Sequence, residues 1–224
     1  MSGLLNKKTI SLQKQINDIN TEIGELATGV TADAVIIHSV GTVNPLAVGA
    51  TVTELGDGAV HKTIITLDEV AMPVVDGTTP ATDGAWGTLK LYTFPAGHIQ
   101  ILGGHQVFPI GGLVASSAGS GLTSTADFEI GVGTAAAANA SAFDLNNGTE
   151  ENIVPHSTVA LTASKTTAIL SGVQGTVAVY DGHTTATTAN LNMRTSADGD
   201  SGTAASTLTC SGTVTIVWTN LGDN

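Results

Sequence analysis

Histidines, carboxylates and one cysteine are the side chains of this chain that could do chemistry, and their spacing decides what we expect of them. The chain contains six histidines: His38, His61, His98, His105, His156 and His183. Zinc ligands usually occur in pairs two to four residues apart, whereas the closest histidines, His98 and His105, are seven residues apart. The spacing predicts isolated strand and loop histidines, and we expect no metal site and no cofactor.

Four stretches of acidic residues can be compared with known chemistry. Asp198-Gly199-Asp200-Ser201-Gly202 has the alternate oxygens of a calcium loop but lacks the later bidentate acid, so it predicts a solvated hairpin; whether Asp198 and Asp200 bind a cation stays open. Asp68-Glu69 and Glu150-Glu151 are adjacent acids, which on a strand point to opposite faces and cannot form a hydrolytic pair. Asp181-Gly182-His183 predicts an ordinary turn.

Nucleophiles and stacking platforms are equally sparse. Gly119-Ser120-Gly121 is the nearest approach to a nucleophile elbow and matches only loop composition. Cys210 lies inside a strand pattern, which predicts a buried, unpaired thiol. We therefore expect no enzyme. Four aromatic residues could form a small sugar-stacking patch, so a carbohydrate-binding β domain remains an alternative. They are Trp86, Tyr92, Phe94 and Phe108.

The element that organises the chain is the segment preceding Gly29. Its apolar residues recur at gaps of four and three, the spacing of a heptad seam, with one polar interruption at Thr9. The seam residues are Leu5, Leu12, Ile16, Ile19, Ile23 and Leu26. The pattern predicts an amphipathic assembly helix over residues 1–29 that packs on another helix.

The seam predicts self-association. With Ile16 and Ile23 at a positions and leucine or isoleucine at d positions, it mixes residues that favour dimers and trimers, so the seam permits a parallel homo-oligomer but does not fix the number of subunits. Alternatively, the same stripe lies on the β body of its own subunit, as amphipathic helices commonly do.

After residue 30 the apolar periodicity changes to two, with frequent glycine between short runs of β-branched residues. Roughly ten such strands predict a mainly β body over residues 30–224, built as a β-sandwich or jelly roll. The clearest strand pair is expected near residue 211, where Leu208 and Cys210 alternate before Ser211-Gly212 and Val214, Ile216 and Trp218 alternate after it. That dipeptide suits a tight turn or a bulge.

The charge of the chain is concentrated in the body. Of 19 acidic and 7 basic residues, three of each precede Gly29, which leaves 16 acids against 4 bases. Nucleic acids and anionic membranes are bound by lysine and arginine, so we expect neither as a partner. The N-terminus lacks the continuous apolar core of a signal peptide, which favours assembly in a cytoplasm.

The plan of the chain resembles virion structural proteins of tailed bacteriophages. The resemblance rests on the lysine-containing helix KKTISLQKQINDINTEI (7–23), the acidic, Gly/Thr/Ala-rich β body and the ending TLTCSGTVTIVWTNLGDN (207–224). Within that group it is most similar to capsid decoration, or cement, proteins. The resemblance implies a homotrimer on the outer capsid surface that bridges major capsid protein subunits. A head or tail fibre, which binds a receptor, is the alternative within the group.

Overall fold

The computed structural model describes residues 42–43, 49–56, 60–75, 85–115, 127–138, 145, 148–162, 165–166, 169–171, 178–195 and 206–222. Every regular element in these ranges is a β-strand, which confirms the expectation of a mainly β chain. The strands are β1 (Thr42–Val43), β2 (Ala50–Leu55), β3 (His61–Val75), β4 (Trp86–Thr93), β5 (His98–Phe108), β6 (Leu113–Ala115), β7 (Asp127–Gly133), β8 (Val154–Thr162), β9 (Lys165–Thr166), β10 (Ile169–Ser171), β11 (Ala178–Asp181), β12 (Thr188–Thr195) and β13 (Ser206–Asn220).

The strands form one antiparallel sheet that curls on itself. Its order is β10-β5-β13-β3-β4-β12-β7-β8-β9, with β2 on β3, β1 on β4, β6 on β13 and β11 on β5. β3 and β4 pair only where Val74 and Val75 meet Gly87 and Trp86, so the sheet bends there. The curl brings β5 against β7, because Gln106 Nε2 donates to Ile130 O at 2.9 Å. The result is a half-barrel with its core inside the curl.

The alternation of apolar residues places the core as expected. Ile65, Leu91, Ile101 and Met193 are each fully buried, and their strands present the same apolar faces that the period of two predicts. Val179 on β11 differs, because its side chain is 53% exposed. Burial of apolar side chains on the inner face of the curl is the main stabilisation of the sheet. It contributes about 25 cal/mol per Å² of apolar surface removed from water.

The expected pair of strands around Ser211-Gly212 is a single strand, β13, in the structure. Residues 206–220 form one continuous strand, and the dipeptide marks a bulge, because the register against β3 shifts between Cys210 and Gly212. The strand continues because both of its edges are occupied, by β3 on one side and by β6 and β5 on the other. Gly212 is needed there, since a Cβ would lie 2.5 Å from Phe108 Cδ1.

The bulge also changes the expectation for Asp68 and Glu69. The two acids together oppose Ser211, whose Oγ accepts a hydrogen bond from Glu69 N at 3.0 Å. Glu69 has a φ of 55°, in the left-handed region. The bulge interrupts the regular alternation of the strand here, and both side chains are exposed.

Candidate functional site

The residues predicted to carry function, the seam of Leu5, Leu12, Ile16, Ile19, Ile23 and Leu26, lie outside the described residues. So do His38, Gly119-Ser120-Gly121 and the Asp198 to Gly202 loop. The structure therefore bears on the β body, where the polar side chains that sequence reasoning singled out can be placed.

A row of polar side chains on β12 is buried, against the expectation that alternate positions of a strand face water. Asn190, Asn192 and Arg194 alternate with Leu191 and Met193, yet all five are at most 4% exposed. Residues 134–138 and 148–152 account for this, because they lie over the outer face of the strand and bond to the polar row. β12 is thus covered on both faces.

Asn192 holds the covering segment by its backbone. Its Oδ1 accepts from Ala137 N at 2.9 Å, and its Nδ2 donates to Ala135 O at 2.8 Å and to Glu150 O at 2.7 Å. Asn190 Nδ2 adds a bond to Thr134 O at 3.2 Å. The amide side chains replace the strand partner that this irregular segment lacks. Their role is structural, since both atoms of the Asn192 amide and the Asn190 Nδ2 bond to backbone groups of the covering segments.

Arg194 and Glu150 form a buried ion pair at the end of the same row. Arg194 Nε and Nη2 each donate to a different carboxylate oxygen at 3.0 Å, and Nη2 also donates to Ala138 O. The side chains are 1% and 4% exposed. Bidentate pairing satisfies both charges at a site from which water is excluded. Glu150 therefore pairs with Arg194, whereas its neighbour Glu151 contacts a different residue, His156.

His156 on β8 lies between two carboxylates. Its Nδ1 is 2.5 Å from Glu151 Oε2, and its Nε2 is 3.3 Å from Glu129 Oε1 on β7. Glu129 Oε2 also accepts from Leu145 N at 2.8 Å. The pair of contacts joins β7, β8 and the segment before β8. Sequence spacing did not indicate this cluster, because Glu129 is 27 residues from His156 and meets it only through the β7–β8 pairing.

The aromatic residues do not form a surface patch. Tyr92, Phe94 and Phe108 are at most 2% exposed, whereas Trp86 is half-buried on another part of β4. Tyr92 and Phe94 pack instead around Trp218, with the Phe94 and Trp218 ring centroids 5.3 Å apart. These four residues therefore do not form the sugar-stacking patch considered as an alternative, and the rings of Tyr92, Phe94 and Phe108 belong to the core.

The aromatic core includes polar groups supplied by β2 and β3. Trp218 Nε1 donates to Thr63 Oγ1 at 2.8 Å, and the Thr63 hydroxyl donates to Glu54 Oε1 at 3.2 Å. The Tyr92 hydroxyl donates to the same oxygen. His61 stacks on Trp218 with 4.3 Å between ring centroids and is 1% exposed. This chain of bonds fastens the edge strand β2 over the core.

The remaining candidates have ordinary structural roles. Cys210 is buried and unpaired, as expected, and burial raises the pKa of its thiol to about 12. Asp181 Oδ1 accepts from His183 N at 3.0 Å, which confirms the turn at Asp181-Gly182-His183.

Within the described ranges no group of three or more histidine, cysteine, aspartate or glutamate side chains could hold a metal ion. No helix in those ranges meets the length and apolarity needed to cross a bilayer.

Comparison with known proteins yields little similarity. No protein-family model matches the chain, and no curated protein matches it. Among solved structures, it is similar to "High resolution crystallographic structure of the Clostridium thermocellum N-terminal endo-1,4-beta-D-xylanase 10B (Xyn10B) CBM22-1- GH10 modules complexed with xylohexaose". The identity is 16%, the match covers 76% of this chain and 25% of that one, and the TM-score is 0.23. The chain thus spans about a quarter of that structure's length, and the similarity is too low to carry an argument about function.

Proposed function

We propose that this chain is a non-enzymatic virion structural protein of a tailed bacteriophage, a capsid decoration protein that stabilises the head by bridging major capsid protein subunits. The observation that carries the proposal is the heptad seam from Leu5 to Leu26. A seam of this kind is stabilised by another helix, and the described part of the chain contains strands alone. The partner helix in this proposal is the same segment of a second and third copy.

The β body supports the proposal through the use it makes of its polar residues. Asn192, Arg194 and Glu150 hold an irregular segment onto β12, and Thr63 and Glu54 hold β2 over the aromatic core. A body fastened in this way keeps its shape under load, which is what a shell component needs. The 16 acids that follow Gly29 also suit a protein exposed on a particle surface, because net charge opposes aggregation.

We further propose that the curled sheet is a two-layered β-sandwich of the jelly-roll type. β2, β3, β13 and β5 form one layer, and β4, β12, β7 and β8 form the other. Support comes from contacts between the layers: Gln106 reaches Ile130 O, and a Cβ on Gly104 would lie 3.0 Å from Val154 Cγ2.

In the proposed mechanism, several weak contacts add up. An oligomer that touches several capsomers at once makes each later contact intramolecular, so modest individual affinities hold it on the head. The oligomer is assembled in the host cytoplasm and binds the outer capsid surface. It needs no cofactor, nucleic acid or membrane.

The experiment has two parts. Ile16→Asp and Ile23→Asp each place an unpaired charge in the seam, so sedimentation of the full chain should show loss of the homo-oligomer. Asn17→Asp, at a b position away from the seam, is the control and should leave the oligomer intact. Counting copies by quantitative mass spectrometry in purified phage particles tests the role: hundreds per particle support decoration, whereas a few dozen or none contradict it. An unchanged oligomer in both seam variants would show that the seam is wrongly assigned.

A further inference from the structure

The outer face of β2, β3, β13 and β5 differs in composition from the rest of the body. Three rows of paired residues cross β2, β3 and β13. The first row consists of Thr51, Thr66 and Thr213, and the second consists of Thr53, Ile64 and Thr215. We call this set of outward side chains the threonine face. It consists of Thr51, Thr53, Ile64, Thr66 and Thr213, together with Thr215, which is only 5% exposed. The third row adds Leu55, Lys62 and Val217.

The threonine face is free of carboxylates in a chain of formal net charge −12. Where the same rows reach β5 they end on His105 and Val107, and Glu54 on β2 points inward to Tyr92. Thr51, Thr53 and Thr66 are exposed, and Leu55 at the β2 edge is 48% exposed. Short, stiff, β-branched side chains lose little conformational entropy when they are covered. Two bodies that repel each other elsewhere can approach here.

Charge is arranged along the length of the face. Lys62 lies near the start of β3, and Asp68 and Glu69 lie exposed in the middle of the same strand, just beyond the row that contains Thr66. Six residues separate Lys62 from Asp68, which corresponds to about 20 Å of strand. A second copy placed face to face, with its strands running in the opposite direction, brings its Asp68 and Glu69 opposite Lys62 of the first copy.

We propose that the threonine face is a docking surface for a second copy of this chain, related by a two-fold axis that lies in the plane of the sheet and perpendicular to its strands. This axis reverses strand direction and makes the Lys62 to Asp68 contact twice. A two-fold axis along the strands would instead leave acids facing acids. The contact goes beyond the proposed capsid role, and it does not depend on the seam.

The size of the face sets the strength of the contact. Four strands spaced about 4.8 Å apart and about 20 Å long cover about 400 Å² on each copy. Stable dimers bury about 800 Å² per partner, so this pairing is weak and depends on concentration. Bodies held by a parallel three-stranded seam are related by a three-fold axis. The two-fold contact therefore joins one such oligomer to the next.

Sedimentation velocity of the full chain over a range of concentrations tests the contact by charge reversal. Lys62→Glu should weaken the association between oligomers at least tenfold, and Lys62→Glu combined with Asp68→Lys should restore it, because the opposite charges then meet again. Lys90→Glu on β4 makes the same change in net charge at another exposed lysine and should behave like the wild type. Circular dichroism and thermal unfolding check that each variant is folded.

The outcomes separate this inference from the proposed function. Equal behaviour of Lys62→Glu and Lys90→Glu, or a wild type that shows no concentration-dependent association, overturns the docking surface. Failure of the double variant to recover overturns the antiparallel arrangement. Adding Ile16→Asp and Ile23→Asp should leave a weak dimer that Lys62→Glu abolishes. If these seam substitutions change nothing while Lys62→Glu still weakens association, the seam is wrong and the threonine face stands.

Discussion

Arg194 on β12 donates to both carboxylate oxygens of Glu150 at 3.0 Å, and both side chains are almost completely buried. The pair links the central strand of one half of the sheet to the segment that covers it. Because neither charge can reach water, each depends on the other. The stability of this part of the body therefore depends on the pair remaining intact.

Arg194→Met should destabilise the protein by about 3–5 kcal/mol, since it leaves Glu150 buried without a counter-charge. Replacing both residues, as Arg194→Met with Glu150→Leu, should cost less than the sum of the two single changes. Unfolding in urea, monitored by circular dichroism, measures both values. Lys90→Met, at an exposed position, is the control and should cost less than about 0.5 kcal/mol. Strictly additive single and double variants would contradict a coupled pair.

Thr63→Val should destabilise by about 1–3 kcal/mol, because it leaves the buried indole N–H of Trp218 without an acceptor. It also removes the donor that Thr63 offers to Glu54. Thr53→Val, the same change at an exposed position of the neighbouring strand β2, is the matched control and should be close to neutral. Urea unfolding compares the two variants, and equal stabilities would contradict the buried bond between Thr63 and Trp218.

Gly212→Ala should destabilise by about 1–3 kcal/mol, because the new methyl group would overlap Phe108 and the carbonyl oxygen of Val107. Gly148→Ala is an informative comparison: its φ of 47° adds strain, but no atom lies within 4 Å of the new Cβ. Thermal unfolding should therefore show a larger loss for Gly212→Ala. The reverse order would mean that the packing beside the β13 bulge is looser than described.

The Cys210 thiol should resist alkylation in the native protein at pH 8 and react at once after denaturation. Burial raises its pKa to about 12 from 9.0, so the unfolded chain ionises this group first. The contribution of this pKa difference to the free energy of unfolding is fully present below about pH 9 and is lost as the pH rises toward 12. Cys210→Val should remove that part of the alkaline loss. Rapid labelling of the native thiol at pH 8 would contradict its burial.

The fold class could be predicted from the sequence because apolar residues recur with a period of two along most of the strands. Leu191 and Met193 illustrate this, since both fall on the buried face that the period of two assigns. The same rule fails for Asn192 and Arg194, which it assigns to solvent. Alternation along a strand identifies two faces, but it does not tell whether another part of the chain covers the outer one.

The polar clusters were missed for a related reason. Glu129, Glu151 and His156 are brought together by the register of β7 and β8, and Thr63 meets Trp218 across 155 residues. Pairing between distant strands is not encoded in local spacing. A signal was nevertheless present in TANLNMRT (188–195), where two asparagines and an arginine occupy the polar positions of a strand. Asparagine is a poor strand former, and its presence there indicates a specific hydrogen-bonding role.

The position of β13 has a consequence for how the protein is made. This strand follows the other described strands in sequence, yet it lies between β5 and β3 and pairs with both along most of its length. A nascent chain leaving the ribosome therefore exposes two unfinished strand edges until residues 206–220 emerge. Closure of the sheet has to wait for them, so a translating cell must shield these edges from neighbouring chains for most of the time that synthesis takes.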